Sequence, residues 1–309
     1  MDKRKSIKEK KVILVTGATG FIGWNVCKYY KNKGWSVYGI SNDGGRVPAG
    51  VRLIKVDLTK YQKLSLKIKK IRPSIVIHLA AYVVLDRNFE TAQKCIDANI
   101  KGTLNLLETF KKYPVKKFLF FSTEEVYGTN KIPYKENQLL FPPSPYSVSK
   151  VAGENLCLMY YKLYKLPVIM MRISTIFGYH QSKNKFIPNI ILKAVKNDPI
   201  LLNSGENKRD YLFIDSLLDA INKAVLSNRS VGEIFNIGNK ETISGKELVR
   251  RIINLSKSKS KIILNAFPDR EGEAKEWSMN VEKAKNLLNW KNKISMDEGL
   301  LRTIHFYKK

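Results

Sequence analysis

Tyr146 and Lys150 lie four residues apart in the run Pro145-Tyr146-Ser147-Val148-Ser149-Lys150, which reads as the start of a helix. Ser144 suits the N-cap and Pro145 the first helical position, so the phenol and the amine fall on one face. An ammonium one turn from a phenol favours the phenolate and is expected to lower its pKa, giving a base able to take a proton from a hydroxyl. A second chemistry is signalled by Gly17, Gly20 and Gly23, which share one turn between an apolar run, Lys11 to Thr16, and a helical pattern from Phe21 to about Lys33. In such a turn one glycine permits the sharp bend, one lets backbone approach a pyrophosphate, and one lets helix and strand pack closely. The helix start then offers N–H donors to the phosphates. At the end of the second apolar run, where an acidic residue would accept the ribose hydroxyls of NAD, the chain has Ser41 and Asn42, followed by Asp43. Ser41 leaves room for a 2′-phosphate near Arg46, and Asp43 can serve a ribose, so NAD and NADP both stay open.

The elements that must position these residues alternate along the chain. Lys11 to Thr16, Val37 to Ile40, Arg52 to Val56, Ser74 to His78, Lys117 to Phe121 and Val168 to Arg172 are short, β-branched or apolar, and amphipathic segments separate most of them. This alternation predicts an α/β protein with a Rossmann-type, doubly wound parallel sheet, whose ligands sit at the carboxyl ends of the strands. Gly34 is placed to end the first helix. Beyond Arg172 the texture changes to a polar loop, a helix near Phe186 to Asn197 and mixed short elements, with a final helix near Val281 to Leu288. The division expected is a dinucleotide-binding domain over 1–172, rejoined by about 209–240 through the strand-like Val231 to Gly238, and a smaller mixed α/β substrate lobe over 173–309.

Composition narrows the function classes. A chain of 309 residues with 44% hydrophobic content buries a full core, and no apolar run in it is long enough to span a bilayer. The Lys-rich start leads into the first strand without the apolar segment of a secretory signal, so a cytoplasmic protein without membrane insertion is expected. Cys27, Cys95 and Cys157 are odd in number and far apart, which fits buried thiols better than disulfides, and His78, His180 and His305 are equally scattered, so no metal site is expected. Fifty-five Lys plus Arg against 27 Asp plus Glu give a net charge of +28, a field that draws polyanions. The basic residues are spread over the whole chain rather than gathered in an arm, so a small phosphorylated substrate is a better match than nucleic acid.

Several motifs in order carry a more specific signal. Gly17-Ala18-Thr19-Gly20-Phe21-Ile22-Gly23, Asp57-Leu58, His78-Leu79-Ala80-Ala81, Asn99 before Gly102-Thr103, Ser122-Thr123-Glu124-Glu125-Val126-Tyr127-Gly128 and Tyr146 to Lys150 together resemble the extended short-chain dehydrogenase/reductases, in particular nucleotide-sugar epimerases and dehydratases. The resemblance continues through Arg209-Asp210-Tyr211 and Phe235-Asn236-Ile237-Gly238 to Leu288-Asn289-Trp290, nearly the whole chain. It implies a catalytic set of Thr123, Tyr146 and Lys150 supported by Asn99, and a tightly bound NAD or NADP contacted by Gly17, Gly20, Phe21, Ile22, Gly23, Ser41, Asp57, Leu58 and Leu79 to Ala81. It also implies a nucleotide-diphosphate sugar whose phosphates are clamped by Arg209 and Arg270, a role suited to the guanidinium fork. Family members usually dimerise, here through the helices containing Asn99 to Phe110 and Tyr146 to Tyr164.

Within that family, Thr123-Glu124-Glu125-Val126-Tyr127-Gly128 looks like the Thr-Asp-Glu pattern of hexose 4,6-dehydratases, with Glu124 one methylene longer than the usual Asp. Leu85-Asp86-Arg87-Asn88 also resembles a dehydratase segment. In that chemistry Glu125 takes the C5 proton and a neutral Glu124 protonates the departing 6-hydroxyl, which requires environments that push the two pKa values apart. Thr175 stands at a substrate-binding position where many relatives have Asn. The resemblance therefore points first to a 4,6-dehydratase; the alternatives are a 4-epimerase or 4-keto-sugar reductase using the same Tyr146, and a non-catalytic dinucleotide- or RNA-binding relative.

Overall fold

The computed structural model describes residues 11–84, 86–269 and 274–308. Seven parallel strands make the main sheet: β1 (Val12–Thr16), β2 (Ser36–Ser41), β3 (Arg52–Lys55), β4 (Ile75–His78), β5 (Lys117–Thr123), β6 (Val168–Ile173) and β10 (Ile234–Ile237). Their spatial order is β10-β6-β5-β4-β1-β2-β3. The strands are apolar on both sides because both sides are covered. Ile13 and Val15 of β1, with Leu119 and Phe121 of β5, point into one core; Leu14, with Phe118 and Phe120, points into the other. Helices α1 (Phe21–Asn32) and α7 (Ile214–Leu226) cover the first face. The second is covered by α2 (Tyr61–Ile71), α4 (Gly102–Lys112) and α5 (Pro145–Tyr164).

Chain order reverses direction between β1 and β4, which end level with each other, Thr16 opposite His78. In an open parallel sheet this reversal leaves a crevice at the carboxyl ends, where a ligand fits. Helix α1 stops where Gly34, at φ +77°, receives the chain and its N–H bonds Lys31 O at 3.0 Å. A short α3 (Phe89–Cys95) runs into a π-helical turn, Ile96–Lys101, before α4 begins.

A smaller mixed part follows. Strands β7 (Thr175–Phe177), β9 (Lys208–Phe213) and β11 (Thr242–Ser244) form a sheet in the order β11-β9-β7, and β8 (Ile200–Leu201) pairs with β12 (Ile262–Ile263). Helices α6 (Phe186–Lys196), α8 (Gly245–Ser256), α9 (Glu282–Leu288) and α10 (Met296–Tyr307) pack around them. The sequence reading ends the chain at α9 and resolves no helix at α7, α8 or α10; the structure corrects this. Each of these helices puts an apolar stripe against the first core, such as Leu217, Leu218 and Ile221 in α7 or Leu300 and Ile304 in α10, with its polar residues on the other face.

Candidate active site

The turn after β1 has the shape its glycines predict. Gly17 adopts φ +68°, and a Cβ there would lie 2.9 Å from the Ala80 nitrogen; a Cβ on Gly23 would lie 2.0 Å from Gly17 O. Larger residues would therefore force the turn away from both the helix and the crevice. The Gly20 N–H is bonded to Gly17 O at 3.0 Å, and the first helical acceptance is Trp24 N to Gly20 O at 2.8 Å. The amides of Phe21, Ile22 and Gly23 thus stand at a helix start, where no carbonyl of the helix reaches them. This backbone cradle at the sheet's crevice fits a dinucleotide pyrophosphate.

Buried polar groups lock the crevice walls. Thr16 Oγ1 accepts the Ala80 N–H at 3.1 Å and lies 2.7 Å from His78 Nδ1; His78 Nε2 lies 3.0 Å from Thr103 Oγ1, which donates to Asn99 O. With the Thr16 hydroxyl donating to Nδ1, the imidazole carries its proton on Nε2. Burial and the nearby Lys150 charge hold His78 down at about 3, so it is a neutral structural link. Asn99 is a second staple: its Oδ1 accepts Tyr82 N–H at 2.7 Å, and its Nδ2 donates to Tyr82 O at 3.1 Å and Ser149 Oγ at 2.8 Å. The π-helical turn aims this amide at both the segment after β4 and helix α5. At the other side of the crevice, Ser41 Oγ donates to Gly44 O at 2.8 Å and accepts from Thr19 at 3.2 Å. Asp57 accepts Thr59 N–H at 2.8 Å, and Leu58 O accepts from Asn105 at 2.8 Å.

Helix α5 begins as expected, with Ser144 as N-cap in a capping box with Ser147 and Pro145 in the first turn. Tyr146 and Lys150 follow one turn apart. The expected acidification of the phenol is corrected here: Tyr146 is pushed up, first by burial and then by Glu125 and Cys95. The effect of the four-residue spacing is outweighed by desolvation, which instead brings Lys150 down to about 8. The Lys150 ammonium sits 4.5 Å from the centre of the Phe120 ring.

Behind these residues lies a buried ionic frame. Arg172 of β6 grips Glu154 of α5 with two bonds, Nε to Oε1 at 3.0 Å and Nη2 to Oε2 at 2.7 Å, and gives Nη1 to the Tyr127 hydroxyl at 2.8 Å. The Tyr127 hydroxyl in turn donates to Asn236 of β10 at 2.7 Å. The frame fixes α5 and the turn after β5 against the sheet.

That turn, Glu124–Tyr127, is a single 3₁₀ turn capped by Thr123, whose Oγ1 accepts the Glu125 N–H at 3.3 Å. It opens onto a cavity of about 200 Å³ lined by Thr123, Glu124, Glu125, Ser144, Thr175 and Arg209, with Trp277 on one wall. The two carboxyls meet different surroundings. Glu125 Oε1 accepts a short bond from the Ser144 hydroxyl. Glu124 is buried, accepts from Thr175 Oγ1 at 2.9 Å through Oε1, and leaves Oε2 without a partner among the described residues. Burial and then Asp210 push Glu124 well above the usual carboxylate range, against the opposing pull of Thr175 and Arg209. Arg209 lies over the Trp277 ring, 5.2 Å from its centre, and donates to Lys208 O and Ala274 O. Arg270, named beside it from the sequence, lies outside the described residues.

The structure therefore gathers Thr123, Glu124, Glu125, Thr175 and Arg209 on one cavity and sets Tyr146 and Lys150 on the helix that Ser144 starts. The sequence reading sees Ser144 only as a cap and misses its bond to Glu125. Trp277 carries no signal in the chain that would link it to Arg209.

A family model described as the NAD dependent epimerase/dehydratase family matches residues 13–238. The chain belongs to this family of enzymes. It is 32% identical to a dTDP-D-glucose 4,6-dehydratase of Dictyostelium discoideum, over 96% of this chain and 81% of that protein. It is 31% identical to a UDP-glucuronate 4-epimerase of Thermodesulfobacterium geofontis, over 96% and 95%. Its fold superposes with a TM-score of 0.87 on a UDP-glucuronic acid 4-epimerase from Bacillus cereus in complex with UDP-glucuronic acid and NAD, at 28% identity and covering 96% and 99% of the two chains. It is thus a nucleotide-sugar dehydratase or epimerase by kinship. Cys27, Cys95 and Cys157 are free and buried. Among the described residues no helix is long and apolar enough to cross a membrane, and no group of three or more His, Cys, Asp and Glu forms a metal site.

Proposed function

We propose that the protein is a nucleotide-diphosphate-sugar 4,6-dehydratase. One observation carries the reading: the two carboxyls after Thr123 share a cavity but meet different surroundings, Glu124 buried, biased toward the neutral acid and with one oxygen unpartnered among the described residues, Glu125 held by the Ser144 hydroxyl. An elimination needs such a pair, a base for the C5 proton and an acid for the leaving oxygen.

Tyr146 takes the proton of the sugar 4-hydroxyl as C4 is oxidised to a ketone, with Lys150 and Thr123 holding the phenol and the hydroxyl in place. NAD, held at the backbone amides after Gly20, would supply the hydride acceptor for C4 and the donor for C6, and its positive charge would favour ionisation of the Tyr146 phenol. The 4-ketone makes the C5 hydrogen acidic, and Glu125 removes it while Glu124 protonates the C6 oxygen, which leaves as water. Reduction at C6 and return of the proton to C5 complete a 4-keto-6-deoxy sugar. Arg209, anchored over Trp277, binds the diphosphate.

The test is Glu125→Gln, run on a panel of UDP-, GDP-, dTDP- and CDP-hexoses with products followed by NMR. The wild type should release a 4-keto-6-deoxy sugar, and the variant should build up reduced cofactor without losing water. Full turnover by the variant would remove Glu125 from the base role. A 4-epimerase is the second reading, favoured by the superposition on the Bacillus cereus enzyme; it would leave the C6 oxygen in the product. We also propose a homodimer, supported by exposed apolar residues along two neighbouring helices: Ile96 and Leu104 on one, and Val148, Met159 and Leu163 on α5.

A further inference from the structure

We propose that Thr175 is a positioning residue for Glu124: its hydroxyl holds Oε1 of that carboxyl and so leaves Oε2 to carry the proton that departs with the sugar oxygen. This deepens the dehydratase reading and rests on it for the identity of the reaction, but the contact stands on its own geometry. Thr175 opens β7 and lines the cavity together with the 3₁₀ turn, and Thr175 Oγ1 donates to Glu124 Oε1 at 2.9 Å. Glu124 is 5% exposed, and Oε2 has no protein partner among the described residues. A buried carboxyl oxygen left this way in a polar cavity is costly unless it is protonated and has a ligand to donate to.

The surroundings explain why one hydroxyl matters. Asp210 and Arg209 face Glu124 from β9, Glu125 adjoins it in the turn, and the Tyr134 phenol interacts with it from the segment before α5. Burial, Asp210 and Glu125 all favour the neutral acid. A carboxyl left to those influences alone would hold its proton too firmly to give it up during elimination. Thr175 and Arg209 act in the other direction, since a hydrogen-bond donor and a cation both stabilise the carboxylate that forms when the proton leaves. The bond therefore does two things at once: it fixes which oxygen carries the proton, and it makes that proton transferable.

The two departures of this chain from the usual dehydratase pattern thus meet in one contact. The Glu124 carboxyl and the Thr175 hydroxyl, both in the cavity lining, meet at 2.9 Å. The longer acid is oriented by β7 rather than left to rotate.

The experiment compares wild type with Thr175→Val, which keeps the shape and removes the donor, and with Thr175→Ser, which keeps the donor. Infrared difference spectra against Glu124→Gln isolate the neutral carboxyl band of Glu124 in the cofactor-loaded protein, without any need for turnover. In Thr175→Val the pH at which that band disappears should rise by roughly half to one unit, the amount one hydrogen bond is worth. On the sugar substrate, kcat should fall about tenfold while the first reduction of cofactor, read at saturating sugar, persists. Thr175→Ser should restore both. An unmoved titration in Thr175→Val, or a failure of Thr175→Ser to restore it, overturns the proposal. Should the wild type give no 4-keto-6-deoxy product from any sugar while the infrared shift is seen, the dehydratase reading fails and the positioning of Glu124 by Thr175 stands.

Discussion

Replacing Lys150 by Met should make the folded protein more stable and the enzyme inactive. Lys150 is almost fully buried, and its ammonium lies over the Phe120 ring, 4.5 Å from the centre. Burial lowers its pKa from 10.5 to about 8; at about 1.4 kcal/mol per unit this is about 3 kcal/mol of unfavourable charge burial at pH 7. The attraction between ammonium and ring returns about 1 kcal/mol. The variant should then gain about 2 kcal/mol, which for a chain of this length is a rise of about 3 °C in Tm. The pH dependence has a definite sign. Below pH 8 the amine is charged in both the folded and unfolded chain, and the penalty is fully present; between 8 and 10.5 the unfolded chain holds more protons, so wild-type stability climbs. The advantage of Lys150→Met should therefore be full at pH 7 and fade by about pH 10. Urea unfolding of nucleotide-free protein at a series of pH values measures it, with sugar turnover followed in parallel. A variant less stable than wild type at pH 7, or an advantage that does not shrink as pH rises, would refute the reasoning.

Glu154→Gln should cost about 3–5 kcal/mol in urea unfolding, because it leaves the Arg172 guanidinium buried without its counter-charge. Gly23→Ala should weaken NAD binding roughly tenfold or more by equilibrium dialysis while the protein stays folded, since the new Cβ can only be placed by moving the Gly17 carbonyl and with it the phosphate cradle.

Much of the scaffold was legible because its signals are local. Apolar runs separated by amphipathic ones predict a parallel sheet wherever both faces are covered, and Gly34 marks a helix end by needing positive φ. The glycine turn is equally plain, as each of its glycines is required by a contact within a few residues or across one crevice. The helices α7, α8 and α10 carry the apolar period in the chain, yet the expectation of a lobe of mixed short elements passed over them; what no local pattern gives is that their stripes close on the core beneath the main sheet.

The site divides along the same line between local and long-range causes. That Tyr146 and Lys150 share a face follows from helix geometry alone, and α5 bears it out. How acidic each group is depends on which solvent is excluded, and that is decided by β5, the turn after it and the segment behind α5, none of which is visible in a four-residue spacing. Burial raises the phenol and lowers the amine, reversing the expectation drawn from the pair in isolation. The same holds for the two adjacent acids. As neighbours in sequence Glu124 and Glu125 look alike, but one side chain turns toward β7 and the other toward the N-cap of α5, each met there by a different hydroxyl. Successive residues of a tight turn point in different directions, so adjacency in the chain is what separates the two carboxyls in space. The difference in their surroundings is thus a property of the fold around the turn, and the sequence gives it only as a requirement of the chemistry.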